Sequence, residues 1–306
     1  MGNEQKILNY SNQVEPLFLD NRTKNWAKKY NSKHIREIRE KILVAYKDLF
    51  FDEGPHIYTI DDKPIPSVSS MVEKFVKPFP AEEMSIKCSN AYFNDPYSKY
   101  YHMTPEEIAK SWEENATEAA KRGTFAHEFG ESCMHYMVGD YDEILPAFKN
   151  RLTPDGLFVS HGGFEDAIVK FWNDMPEKYV PVLAETKVFA SCGLDQPLYA
   201  GTFDLLVYST LPKHPGLIIF DYKTNKNLYN NYRGQKMLHC LNSLLDCDKN
   251  HYEVQQCLYE NALNEIGLDI LAKRLVWIKE SGEYEAVRLT EDIKGLVVES
   301  LSKNIL

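Results

Sequence analysis

Ile218-Ile219-Phe220-Asp221-Tyr222-Lys223, followed by Thr224-Asn225-Lys226, is the stretch that decides the fold. It has the apolar density of an interior strand and then, abruptly, an acid and a lysine two residues apart. Side chains alternate along a strand, so Ile218, Phe220 and Tyr222 take one face while Asp221 and Lys223 share the other. Asp and Lys are almost never fully buried without partners. At the exit of a central strand the two cost stability unless a metal or substrate compensates. Taken alone, the pair reads equally as an edge strand with a wet polar face, or as a structural ion pair.

Upstream, Val182–Ala190 alternates, Cys192-Gly193-Leu194-Asp195 turns, and Tyr199–Tyr208 gives a second strand before the turn Pro212–Gly216. That second strand contains Gly201-Thr202-Phe203-Asp204, an acid 17 residues before Asp221. A short hairpin connection makes the two strands antiparallel neighbours and sets the two acids across from each other. Downstream, a helix from about Tyr252 to Ile266 carries Gln255 and Tyr259 on one face, and strands follow at Leu271–Lys279 and Glu283–Leu289. Thr290 caps a closing helix to about Asn304.

The first half is more helical. Ile35, Ile38, Ile42, Ala45, Tyr46 and Leu49 recur at helical spacing between Lys33 and Phe50. His56–Ile60 and Lys63–Pro66 flank Asp61-Asp62 as a small hairpin, and Ser67 caps a short helix. Phe79–Met103, rich in Pro, Asn, Ser and Tyr, reads as a loop. A helix from Pro105 to Arg122 ends at Gly123, and Thr124 caps a second through Met137, with His127 and Glu131 four apart on one face. A further helix spans Phe164–Met175. Together these give a mixed α/β (α+β) chain with a central mixed sheet flanked by helices and a helical N-terminal region.

The 306 residues are 43% apolar and 26% charged, enough for a full core. No apolar run is long enough to span a membrane, and the first residues lack the apolar core of a signal peptide. Six scattered cysteines without a C-x-x-C pair fit a reducing cytoplasm and neither a zinc knuckle nor a disulfide framework. Net charge is −10, yet Arg22 to Lys47 holds nine Lys/Arg against Glu37 and Glu40. That segment is a candidate phosphate-contacting element or a solvated helix face.

Two carboxylates, Asp204 and Asp221, with neutral His127, form a hard donor set suited to Mg²⁺ or Mn²⁺. Lys223 beside them can offset charge developing on phosphorus. Metal, acid pair and cation at one phosphate are the requirements of phosphodiester hydrolysis. Each member has an ordinary alternative: His127 as a core histidine, Asp204 as a turn residue, Gln255 and Tyr259 as a half-exposed helix face.

Gly201-Thr202-x-Asp204 followed by Asp221-x-Lys223 resembles the PD-(D/E)XK nuclease superfamily. His127 and Gln255-x-x-x-Tyr259 are similar to its RecB-like branch, and Ile65-Pro66-Ser67-Val68-Ser69 to the mitochondrial genome maintenance exonuclease group and its phage and bacterial relatives. The resemblance covers roughly residues 57–279. It implies a restriction-endonuclease-like core over 51–306, with a helical insertion around 79–175 and a partly basic helical extension at 1–50. It implies metal ligation by His127, Asp204, Asp221 and the Tyr222 carbonyl, catalysis by Lys223, and a role for Gln255 and Tyr259 in holding substrate or the active-site strand. Glu131 and Glu185 sit where supporting acids occur in such enzymes, although Glu185 also reads as a salt-bridge partner of Lys187 or Arg233. The expected activity is a Mg²⁺- or Mn²⁺-dependent deoxyribonuclease, a single-strand-preferring exonuclease of replication, recombination or repair in a prokaryotic or phage-infected cytoplasm. A duplex-directed or structure-specific nuclease and a non-catalytic DNA-binding module remain the alternatives. The iron–sulfur cluster of several RecB-like nucleases is not expected, because no cysteine follows Cys257. The expected partner is DNA, with Lys121, Arg122, Lys226, Arg233, Lys236 and the basic segment lining its channel. Tyr92, Phe93, Tyr97, Tyr100 and Tyr101 either stack on its bases or pack their loop onto the core.

Overall fold

The computed structural model describes residues 16–231, 234–290 and 292–303; Arg233 and Asn304 lie outside the described residues. Two helices come first, α1 (Asn21–Tyr30) and α2 (Lys33–Ala45), capped by the side chains of Asp20 and Ser32. The second is shorter than its periodicity suggests, because Phe50 already opens a strand. That strand, β1 (Phe50–Asp52), joins β2 (Ile57–Ile60) and β3 (Lys63–Ile65) in an antiparallel sheet. Asp61 and Asp62 turn the β2–β3 hairpin with φ of 49° and 60°. Left-handed backbone at both central residues matches the twist of the strands, and Asp tolerates it better than most residues.

Ser67 then caps α3 (Val68–Glu73) as expected. The stretch expected to be a loop contains a helix, α4 (Ala81–Tyr92), with Glu82 and Glu83 in its first turn where the helix dipole favours them. A second correction concerns Gly123. It does not break the chain: α5 runs from Pro105 to Val138, 34 residues, with a capping box at Thr104 and Glu107 and a left-handed Gly139 at its end. A helical glycine costs only about 1 kcal/mol, which a helix packed over its second half absorbs. After α6 (Phe164–Asp174) the main sheet begins.

It comprises β4 (Tyr179–Ala190), β5 (Tyr199–Leu211), β6 (His214–Lys223), β7 (Ile270–Ile278) and β8 (Tyr284–Leu289), in that spatial order. Neighbours are antiparallel except β6 and β7, which are parallel. A parallel pair needs a crossover, and α7 (Asp248–Glu265) lies within it. The strand carrying Asp221 and Lys223 is therefore the third of five and not an edge. The last helix, α8 (Lys294–Ser302), begins beyond Thr290, and Ile293 occupies its cap position without a side-chain bond.

The core forms between the sheet and its helices, and the N-terminal helices belong to it. Trp26, Ile35, Ile38, Ile42 and Tyr46 are buried in the same apolar cluster as Phe129, Trp172, Phe203 and Phe220. The basic side chains of α1 and α2 fasten this docking. Arg22 donates to the carbonyl oxygens of Asn173 and Met175 at the C-terminal end of α6, and Lys41 donates to the Gly267 carbonyl beyond α7 at 3.2 Å. Lys29 lies 3.9 Å from Glu177. Arg39 stacks on the Tyr30 ring. Much of this charge is thus spent on intramolecular contacts. Among the described residues, no helix is long and apolar enough to cross a membrane.

Candidate active site

The main sheet forks at its centre. β5 and β6 pair as far as Leu205↔Phe220 and then part. Beyond that point Tyr199–Phe203 pair with β4 and, at Ala200, bridge Ser67, while Asp221–Lys223 pair only with β7. Asp204 and Asp221 are the next residues on either side of the last pair, so they face each other across the mouth of the fork. Asp204 bends into the gap, where its Oδ2 accepts the Tyr222 N–H at 2.6 Å. On the other side, Ala184↔Leu205 and Thr186↔Phe203 bracket Glu185 opposite Asp204. Three carboxylates therefore stand at one level across three adjacent strands, an arrangement that repels itself.

Packing from both faces closes on the fork. On one face, α5 lies so close to β6 that a Cβ added at Gly130 would come within 2.5 Å of the Tyr222 ring. One turn earlier, His127 reaches the fork: its Nε2 is 3.1 Å from the Tyr222 carbonyl and 3.5 Å from Asp204 Oδ2, and its Nδ1 is 3.6 Å from Glu185 Oε1. On the other face, α7 and α3 press on Gly201, where a Cβ would lie 2.8 Å from both the Tyr259 ring and Val68. The Ala200 N–H, on the β5 edge that the fork releases, donates to the Pro66 carbonyl at 2.9 Å. The glycine of Gly201-Thr202-x-Asp204 and the Pro66-Ser67-Val68 lead-in thus serve one purpose, to hold β5 in its parted position.

Burial sets the charge states. Asp204 and Asp221 are buried, and desolvation raises each carboxyl to a pKa of about 6 despite Lys223. Asp204 also pushes Asp221 upward. Glu185 is raised well above the usual carboxylate range, first by burial and then by Asp204, Glu131 and Asp221. Burial, helped by Lys223, lowers His127 to about 4, so its imidazole is neutral at pH 7. Lys223 Nζ lies 2.7 Å from Asp221 Oδ2. Burial opposes its charge, but Asp221 and Asp204 prevail and hold its pKa above the ordinary lysine value.

This donor set fits a divalent cation. One atom each from His127, Glu185 and Asp204 lies within 4.8 Å of the other two. Glu185 Oε1 and Asp221 Oδ1 are buried without a hydrogen-bond partner, a costly state for a carboxylate. Of the residues singled out from sequence, the fork brings together His127, Asp204, Asp221, Tyr222, Lys223 and Glu185. Asp221 lies outside the three-residue group and is ion-paired with Lys223, while Glu185 takes the third position. Glu185 faces His127, not Lys187. Glu131 stands aside, 3.9 Å from His135, although it is close enough to raise the Glu185 pKa. Gln255 donates to the Tyr259 hydroxyl at 3.0 Å, and through Tyr259 it supports β5.

The structure adds a hub on the loop after β6. The Tyr252 hydroxyl donates to Asn225 Oδ1 at 2.7 Å, Asn225 Nδ2 to Asp248 at 2.6 Å, and the Trp277 indole N–H to the Asn225 carbonyl at 2.7 Å. The Tyr252 ring also lies against the Lys223 ammonium, 4.5 Å from centroid to Nζ. The signal was present in the sequence: Tyr252, Gln255 and Tyr259 are three and four apart and share a helix face. Beside the fork opens a cavity of about 620 Å³ with His127, Lys223, Asn225 and Tyr252 in its wall. The chain matches no protein-family model, and no curated protein matches it.

Proposed function

We propose that the protein is a metal-dependent DNA nuclease that hydrolyses phosphodiester bonds at this fork, acting from single-stranded ends. One observation carries the reading: at one fork the buried Asp204 and Asp221 and the half-buried Glu185 converge with a neutral imidazole and a charged lysine, and those last two line an open cavity. His127, Glu185 and Asp204 would hold the cation, and oxygen-rich donors with one imidazole suit Mg²⁺ or Mn²⁺. When bound, such an ion supplies Lewis-acid stabilisation of the phosphoryl group and a more acidic water.

The remaining chemistry belongs to the side chains. The Lys223 ammonium, kept charged by Asp221, donates hydrogen bonds toward the reacting phosphate and offsets the charge that builds there. Asp221 Oδ1, which has no hydrogen-bond partner, accepts from the attacking water and aligns it. The Tyr222 N–H fixes Asp204, and the imidazole of His127 stays unprotonated through burial. Water adds to phosphorus and passes a proton to Asp221, the bond to the leaving oxygen breaks, that oxygen takes a proton from solvent, and Asp221 returns its own to solvent, so that one water is consumed. A cavity of about 620 Å³ has the size of a small-molecule pocket, roughly 300–1,000 Å³, and accommodates one or two nucleotides of a single strand.

The test is degradation of end-labelled linear single-stranded DNA with Mg²⁺ or Mn²⁺, beside a circular strand and a Lys223→Ala control. Loss of linear DNA alone, abolished in the variant, supports an end-directed nuclease. Cutting of the circle makes the enzyme an endonuclease. Absence of metal-dependent cleavage of any DNA or RNA rules out the hydrolase and leaves a binding protein.

A further inference from the structure

Three cations from three separate segments line the cavity beside the fork: Lys99 before α5, Arg122 on α5 and Lys226 on the loop after β6. Among the described residues none of them forms a salt bridge. The contrast within α5 is direct. Lys110 pairs with Glu114 at 3.8 Å and Lys121 with Glu118 at 2.9 Å, while Arg122, on the cavity wall, feels Glu118 only at longer range and forms no direct ion pair. On a chain of net charge −10, three such cations around one opening make a local field for an anion.

The same wall carries an aromatic face. The Trp112 indole N–H donates to the Tyr100 hydroxyl at 2.9 Å, and Phe79 packs against the ring at 5.5 Å. The indole is thus held still at the cavity. Next to Arg122, Gly123 leaves room: a Cβ there would meet nothing within 4 Å. Cations for phosphate, a fixed indole for a base and an unobstructed wall together match the chemistry of a nucleotide. The second cavity, of about 390 Å³, is the one that Glu185 lines, and it sets Glu185, Glu131 and Glu143 against Lys47 and Lys187. It has no excess of positive charge.

We infer that Lys99, Arg122 and Lys226 form a second phosphate subsite. It holds the phosphodiester one nucleotide along from the reacting one, with the intervening base against Trp112. This rests on the reading of the fork as a phosphodiester-hydrolysing site. The indole contact is made to the face of the base, so the subsite accepts any sequence.

The test separates the two ideas, because binding is measured without divalent metal. A fluorescent oligothymidylate is titrated with protein at several salt concentrations, for wild type, Arg122→Gln, Lys226→Gln and Lys110→Gln. Each lost phosphate contact should reduce the slope of log affinity against log salt by about 0.7 for a single strand. The subsite requires that reduction, with weaker binding, in Arg122→Gln and Lys226→Gln, and an unchanged slope in Lys110→Gln, a position on the same helix away from the cavity. Slopes unchanged in the first two, or shifted equally in all three, overturn it. Hydrolysis of linear DNA by the wild type with Mg²⁺ is scored separately. A protein that binds as required but cleaves nothing keeps the subsite and loses the hydrolase.

Discussion

Asp204 and Asp221 keep pKa values near 6 in the folded chain, against about 3.9 for an unfolded aspartate. The folded state therefore holds protons that the unfolded state has already released. Metal-free stability is greatest below pH 4 as far as these groups are concerned. It falls as pH rises from about 4 to 6, and the loss is complete above that window. The shift corresponds to roughly 2–3 kcal/mol per acid. Two outcomes follow for melting curves. Asp204→Asn should raise the melting temperature of the metal-free protein at pH 7.5 and leave it nearly unchanged at pH 4. Mg²⁺ or Mn²⁺ should raise the wild-type value at pH 7.5, by mass action on the folded state, and EDTA should reverse it. Lys223→Ala should lower the rate of hydrolysis by at least about 10²–10³, the usual loss when one donor to a developing charge is removed. Asp204, Asp221, Lys223 and His127 were legible in the sequence because polar residues in apolar segments stand out. The position of Glu185 was not. Glu185 has a backbone φ of +40° inside a strand, a conformation that side chains rarely adopt and that strand alternation does not announce.

At the scale of elements, glycines carry the discriminating information. Gly123 sits in a helix with open space around it, so Gly123→Ala should stabilise the protein by about 0.5–1 kcal/mol. Gly130 lies on the same helix against the Tyr222 ring, and Gly130→Ala should cost about 1–3 kcal/mol through overpacking. Denaturant unfolding of the two variants side by side checks both signs. The loop after β6 depends on Asn225, and Asn225→Ala should lower kcat about 10–100-fold by displacing Lys223 and its loop, with the far-ultraviolet circular dichroism unchanged. The antiparallel pairing of β5 with β6 and most strand boundaries were readable, because period-two alternation and turn residues are local signals, whereas the parallel pairing of β6 with β7 depends on a crossover. Two helical features were not read correctly. Gly123 looked like a stop only because its partner surface was unknown. The residues of α4 were masked by the Pro- and Tyr-rich segments on both sides, although Pro80 followed by Glu82 and Glu83 was a usable start signal.

For the whole molecule, the basic N-terminal segment changes meaning. Sequence alone offered a nucleic-acid contact or a solvated face. The structure shows that Arg22, Lys29 and Lys41 bind this chain's own helix ends and loops, while Trp26 and Ile42 are buried in the main core. Removing residues 1–50 should therefore abolish cooperative thermal unfolding instead of trimming a dispensable arm, and calorimetry of the truncated chain decides it.

The central place of β6 has a consequence for control of the site. Its amides are shielded by neighbours on both sides, and it runs through the middle of the apolar core. Its Ile218–Phe220 amides should be among the last to exchange with deuterated water, opening only when the whole chain opens. Local fraying then offers no route by which the carboxylates could be dismantled and rebuilt. On the proposed reading, a switch that silences the site acts at the cavity mouth, since the carboxylates of the fork share the fate of the fold itself.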